Sequence, residues 1–266
     1  RLNIVSQKRF LPYIRLLYVR FLYFSEITKR PRAEDQFSRD VVEVDAAEGG
    51  KNGVNLDAYK NMIGTFKKPE FTFVCPMCLE GLPDKEYGCG VAEMLKIFLI
   101  VSRRFYRRGV KFFSSGLITP DDPFQERELG RLIAKAYRFK KRRFIKKDPY
   151  DTKGRRIKLN LGHTFAHAIE HLALEEGHVI PHGDAVAMGI ILAARLESHS
   201  LAERLADDFR KCSLNVDCPY KMRQLVDAMK NDKKIDADGY IRFIVPMKVG
   251  KVEIRSIKPE DAVKLL

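Results

Sequence analysis

Cysteine is scarce and unpatterned. Five residues in 266, an odd number without regular spacing, exclude a disulfide framework and point to free thiols in a reducing compartment. Cys75 and Cys78 form a single CxxC with no second pair, which reads as strand-edge packing rather than a zinc ribbon or a redox centre. Long hydrophobic runs are missing as well. The most apolar stretch, residues 10–24, is interrupted by Arg15 and Arg20, whereas a membrane-spanning helix needs about twenty apolar residues in succession. It also lacks the small-residue cleavage site of a secretion signal. A cytoplasmic location with no membrane partner is therefore expected. Glycine-rich nucleotide fingerprints are absent too, and Gly49-Gly50-Lys51-Asn52-Gly53 is not a Walker loop because no Ser or Thr follows the lysine. Acidic residues are in deficit, 35 against 49 Lys and Arg, which leaves a net charge of +14.

A hydrophobic content of 45% beside 32% charged residues describes a globular chain with a substantial core, enough for one large domain or two small ones. The excess cations are concentrated. Between Lys135 and Lys158 twelve Lys or Arg face only Asp148 and Asp151, and Arg103, Arg104, Arg107 and Arg108 form a second group. Such patches bind nucleic-acid phosphates in some proteins, but helix-turn-helix, zinc-finger and RNA-binding signatures are missing here. A solvated basic face, a few of whose members bind a small anionic substrate, accounts better for the charge.

Along the chain, Val41 to Val44 leads into a turn-rich loop at Gly49–Gly53, and Phe71 to Val74 has strand character. Apolar residues then recur at helical spacing over Glu86 to about Arg108, Pro123 to Lys147, Gly162 to Leu174, His182 to about Ser198, Leu201 to Cys212 and Tyr220 to Lys230. Tyr240 to Val245 and Lys251 to Arg255 read as a β-hairpin around Val249-Gly250. The pattern predicts a mainly α chain with a minor β component and no internal repeat.

The segment Leu159-Asn-Leu-Gly-His-Thr-Phe-Ala-His-Ala-Ile-Glu170, followed by Pro181-His-Gly-Asp184, carries the chemistry. It places His163, His167 and His182, half of the six histidines, within about twenty residues. His163 and His167 lie four apart on one helical face, and a second helix start at Pro181 brings a third imidazole within reach. A pair of this kind is also compatible with hydrogen-bonded packing. Glu93, in Gly90-Val-Ala-Glu-Met-Leu-Lys96, reads as the start of an apolar helix with Lys96 on the same face. It is a candidate third ligand, since catalytic zinc takes three protein ligands, typically His and carboxylate.

Six ordered blocks resemble 3-dehydroquinate synthases. They are Val44-Asp-Ala-Ala-Glu-Gly-Gly-Lys-Asn-Gly-Val-Asn55, Lys60-Asn-Met-Ile-Gly-Thr-Phe66, Gly90 to Lys96, Leu159 to Glu170, His182-Gly-Asp-Ala-Val-Ala-Met-Gly189 and Met229-Lys-Asn-Asp-Lys-Lys234. The resemblance implies the multi-helical metal-binding C-terminal domain of that fold over residues 84–266, with a small β-hairpin. Ahead of it would come a remnant of an α/β NAD-binding domain over 41–83, and an atypical leader over 1–40. That leader is expected to be foreign to the enzyme or the edge of a fragment.

The resemblance further implies NAD and zinc, with cobalt as a substitute, a homodimer, and an anionic sugar phosphate substrate. Metal ligands would be Glu93, His163 and His182, with His167, Lys96 and Lys51 catalytic. Asn61, Lys141, Arg156, Asn160, Lys233 and Lys234 would bind substrate. Arg156, Asn160 and His163 are expected to share one face at the start of a helix. The implied reaction is a lyase reaction in the shikimate route to aromatic amino acids. It cyclises 3-deoxy-arabino-heptulosonate 7-phosphate to 3-dehydroquinate with loss of phosphate, and NAD is regenerated within each turnover. A cyclase forming an inosose or a valiolone is the alternative within enzymes, and a non-catalytic nucleic-acid-binding protein the alternative outside them.

Several positions depart from the family pattern. Ser38 and Arg39 replace paired threonines, Glu48 a small apolar residue, Gly81 a threonine that helps hold the cofactor, and Ala166 a glycine. Asp45, Lys60, Leu82 and Glu86 remain as a partial NAD wall. The expectation is a chain whose metal and phosphate chemistry is intact in pattern but whose cofactor binding and turnover are impaired.

Overall fold

The computed structural model describes residues 79, 82–116, 122–150, 154–231 and 238–265, with the backbone alone of 123 and 231, and the backbone alone of 51–56 and 59–66. The leader, Asp45, Glu48, the strand expected at 71–74, Cys75, Cys78, Gly81, Lys233 and Lys234 lie outside these residues.

Two short strands, β1 (Lys51–Leu56) and β2 (Tyr59–Phe66), pair antiparallel with Gly53 opposite Gly64. The turn-rich loop expected at Gly49–Gly53 is thus strand from Lys51 onward. Cross-strand pairing outweighs the local turn preference of glycine.

Helix α1 (Asp84–Val101) begins after Pro83 with Asp84 and Glu86 in its first turn, where carboxylates complement the helix dipole. Every residue from Val91 to Ile100 is buried, Glu93 and Lys96 included, so this helix is the central rod of the domain. Glu93 therefore sits mid-helix and does not start one as the sequence suggested. The helix expected to run to Arg108 breaks at Ser102. The backbone there is extended, and the hydroxyl accepts from the Phe105 amide to cap α2 (Arg103–Phe113). Helix α3 (Pro123–Phe139) is capped by Asp122, which accepts from the Phe124 and Gln125 amides. It widens into a π-helical turn at Lys140–Ile145 instead of continuing regularly to Lys147. The wider turn buries Phe144 and Ile145 while Arg142 and Arg143 stay exposed.

A short 3-10 turn, Arg156–Asn160, leads into α4 (His163–Glu175), which packs on α5 (His182–Arg195). Helix α5 is buried over Ala185–Ala194 and lies against α1, α4, α6 (His199–Lys211) and the strand β3 (Ile241–Lys248). Its contact with the start of α4 is glycine on glycine. Gly162 adopts φ +80°, and a Cβ added at Gly189 would lie 2.1 Å from the Gly162 carbonyl oxygen. Only glycine meets both demands.

Helix α7 (Met222–Asn231) packs on α4. The expected hairpin is present as β3 (Ile241–Lys248) and β4 (Lys251–Ile257), followed by α8 (Pro259–Leu265). The Gly250 amide at its turn donates to the Leu99 carbonyl at 2.7 Å and pins the hairpin to α1. Stacking of Phe165 on Phe243, with ring centroids 5.0 Å apart, fastens it to α4. The described residues are thus mainly α. None of their helices is long and apolar enough to cross a membrane.

Candidate metal centre

Glu93 and Lys96 are one turn apart on α1 and are 1% and 0% exposed. Charges buried this deeply need partners. The Lys96 ammonium lies 2.5 Å from Glu93 Oε2, which compensates one side of the carboxylate. The other oxygen, Oε1, faces two imidazoles: His163 Nε2 at 3.4 Å and His182 Nε2 at 3.7 Å.

Both imidazoles stand at the first position of a helix, where the side chain projects past the helix end. His163 follows the left-handed Gly162, and His182 follows Pro181. Their outer nitrogens are occupied in the same way. Nδ1 of His163 donates to the Leu161 carbonyl at 3.2 Å, and Nδ1 of His182 lies 2.9 Å from Glu170 Oε1. With Nδ1 so engaged, Nε2 of each ring points at Glu93 and is the nitrogen a metal ion would take.

The three ligand atoms lie within 4.8 Å of one another. Tetrahedral coordination at about 2.1 Å places ligand atoms about 3.4 Å apart, close to the two distances measured here. The donor set therefore fits zinc with one position left open. Two carboxylates around His182 mark the same spot electrostatically. Burial alone would lower the imidazole pKa, yet hydrogen bonds to Glu170 and Glu93 and their charges outweigh it and raise the group to about 10. Positive charge is strongly favoured where the three side chains meet.

His167 lies one turn along α4, its ring centroid 5.7 Å from that of His163, on the face that the spacing predicts. Arg156 is 6% exposed and donates from Nη1 to the Pro149 carbonyl at 2.9 Å. The fully buried Asp148 accepts the Arg155 and Arg156 amides, at 2.9 and 3.1 Å, and anchors this turn. Asn160 is exposed. The single face expected for Arg156, Asn160 and His163 does not form, because residues four apart diverge in a helix of three residues per turn and Gly162 then resets the backbone.

Lys141 sits in the π-helical turn with its ammonium 3.0 Å from the Tyr137 hydroxyl. Leu82 and Glu86 share the wall of a cavity of about 20 Å³ with Leu79, Tyr87, Val91 and Met94. Lys51 is in β1, and Lys60 and Asn61 are in β2. Glu170 and Asp148 escaped the sequence reading. The signal for Glu170 was its spacing seven residues beyond His163, two helical turns along one face; Asp148 left none, because its partners are backbone amides.

Residues 90–235 match the family model for the 3-dehydroquinate synthase C-terminal domain, and residues 39–89 the model for its N-terminal domain. A 3-dehydroquinate synthase of Dictyoglomus thermophilum is 34% identical over 85% of this chain and 63% of its own length. The chain belongs to the 3-dehydroquinate synthase family. Another member, from Leptospira interrogans, is 38% identical over 76% of this chain and 55% of its own length. The chain thus spans between about half and two thirds of these relatives. Among solved structures, a 2-epi-5-epi-valiolone synthase from Streptomyces hygroscopicus with NAD+ and Zn2+ bound superposes with a TM-score of 0.70 at 22% identity. The match covers 84% of this chain and 61% of that one. A 2-deoxy-scyllo-inosose synthase complexed with carbaglucose-6-phosphate, NAD+ and Co2+ gives 0.66 at 21%, covering 84% and 62%. These two likenesses establish the shared fold.

Proposed function

We propose that this chain carries the metal- and substrate-binding half of a 3-dehydroquinate synthase, a lyase that cyclises 3-deoxy-arabino-heptulosonate 7-phosphate with loss of phosphate. The observation that carries the reading is the meeting of Glu93 Oε1 with the Nε2 atoms of His163 and His182. These three residues would hold zinc, or cobalt in its place. The ion would supply Lewis acidity toward adjacent substrate hydroxyls.

The protein side chains contribute the rest. Lys96 compensates the carboxylate of Glu93 so that the acidic ligand tolerates burial. His167, one turn beyond His163, would move a proton on the substrate's phosphate side. Arg156, in the turn anchored by Asp148, would bind a carboxylate or phosphate. Lys141, Asn160, Lys51, Asn61, Lys233 and Lys234 would complete the anion- and hydroxyl-binding set.

NAD would contact Asp45, Lys60, Leu82 and Glu86. The cavity beside Leu82 and Glu86, at about 20 Å³, is far below the ~300 Å³ at which ligand pockets begin. Among the described residues these two supply part of a wall, and turnover by this chain alone would be weak. A homodimer belongs to the same proposal.

Metal analysis of the purified chain tests the centre. One zinc per chain is expected, lost in Glu93→Ala, His163→Ala and His182→Ala; metal retained by all three would refute the assignment. Incubation with the heptulosonate phosphate, NAD and zinc tests the reaction, beside a panel of other sugar phosphates. A slow release of phosphate confined to the heptulosonate is expected. Preference for a substrate lacking a carboxylate would move the chain to another cyclase activity.

A further inference from the structure

A second group of cations converges away from the metal centre. A cleft of about 250 Å³ lies between α2, α6 and the β3–β4 turn, and none of its lining residues belongs to the centre. Arg103 and Arg107 line it from α2, and Arg204 and Lys211 from α6. Tyr106, Leu201, Leu205 and Val249 supply apolar walls, and Asp207 and Asp208 face the same space.

The charge balance of the cleft is uncompensated. Asp207 is paired with Arg210 at 3.6 Å, and Arg204 donates from Nε to the Ser200 carbonyl at 3.3 Å. Arg103, Arg107 and Lys211 have no carboxylate within 4.0 Å among the described residues. Two of these cations also stand where the helix disfavours them. The first turn of α2 holds no acidic residue, so Arg103 meets the positive end of the helix dipole. Arg103 and Arg107 are like charges four residues apart, a further repulsion. One anion in the cleft relieves both and satisfies guanidinium groups from two helices.

We propose that this cleft binds the phosphate group of a small molecule. Arg107 and Arg204, on facing helices, would grip it, and Arg103 and Lys211 would complete the charge. The volume admits more than a bare anion, and Asp207 and Asp208 are acceptors for hydroxyls carried beside a phosphate. A phosphate monoester of a small polyol meets all of these features, and free phosphate shares the part that the cations read.

Calorimetric titration of the zinc-loaded chain at fixed ionic strength tests the site, with inorganic phosphate and glycerol 3-phosphate as separate probes. The double variant Arg107→Ala/Arg204→Ala removes two exposed side chains, so folding is preserved. It should weaken phosphate-group binding at least tenfold. A charge-matched control, Arg138→Ala/Arg223→Ala, should leave that binding unchanged. Tighter binding of the ester than of phosphate assigns the ligand class, and equal binding assigns the phosphate group alone. Absence of binding by both probes overturns the proposal. So does a double variant that behaves like its charge-matched control.

Discussion

Substituting Gly189 by alanine would test whether helix separation alone sets the metal geometry, because this residue touches no ligand. Its added Cβ would lie 2.1 Å from the Gly162 carbonyl oxygen, 3.0 Å from the Gly162 carbonyl carbon and 3.1 Å from the Ala166 amide nitrogen. All three are backbone atoms and cannot swing aside. Since Cβ atoms essentially never approach closer than 3.0 Å, the two backbones must part by about 0.9 Å. Overpacking of this kind costs about 1–3 kcal/mol, and a rigid obstacle places it at the upper end. For a domain of this size that corresponds to a fall in Tm of about 5–10 °C.

The displacement is transmitted to chemistry because His163 is the next residue after Gly162, while His182 sits on the same helix as Gly189. Separations of 3.4 and 3.7 Å from Glu93 would open unequally. Losing support of this kind weakens metal binding about 10–100-fold. Chelator competition measures the zinc affinity, and circular dichroism followed on heating measures Tm on the same sample. A Gly189→Ala chain with wild-type affinity and wild-type Tm would refute the reasoning, since the close approach could then not be holding the ligands in place.

Two further outcomes follow from the same coordinates. Glu170→Gln keeps the shape beside His182 Nδ1 but removes the carboxylate that orients it. Zinc affinity should fall about tenfold with helical content intact, and unchanged affinity in the competition assay would exclude a supporting role for Glu170. Stability should also fall in alkali. Burial, reinforced by the charge of Asp208, pushes the Cys212 thiol up to about 12, and burial raises the hydroxyls of Tyr87 and Tyr106 as well. The folded state holds these protons more tightly, so the stabilisation is complete below the ordinary thiol value of 9.0 and is lost as pH rises toward 12. Urea midpoints should decline above pH 9, less steeply in Cys212→Ala than in the unaltered chain; an equally steep decline in Cys212→Ala, or a midpoint that rises with pH, would contradict this.

Local pattern made much of this protein legible. The spacing of His163, His167 and His182 and the ordered blocks around them pointed to an imidazole–carboxylate centre, because ligands near helix starts leave a signature in a few consecutive residues. The helical periodicity of α3 to α7 and the β3–β4 hairpin were readable for the same reason: burial of one face imprints a short repeat.

Long-range packing decided the rest. Glu93 lies within the buried stretch of α1 because α2, α3 and α5 pack around that helix and remove it from water. Ser102 ends one helix and caps the next because the hairpin turn at Gly250 takes the Leu99 carbonyl. Arg156 lies in a 3-10 turn because Asp148, eight residues earlier, accepts its amide. Sequence by itself determined which side chains carry donor atoms suited to a divalent ion and that most of the described residues are helical, because both depend on residue identity and near-neighbour spacing. Only the tertiary structure decided that Glu93, His163 and His182 converge on one point. That convergence depends on how closely separate helices approach, which the glycine contact between α4 and α5 sets and no local interaction encodes.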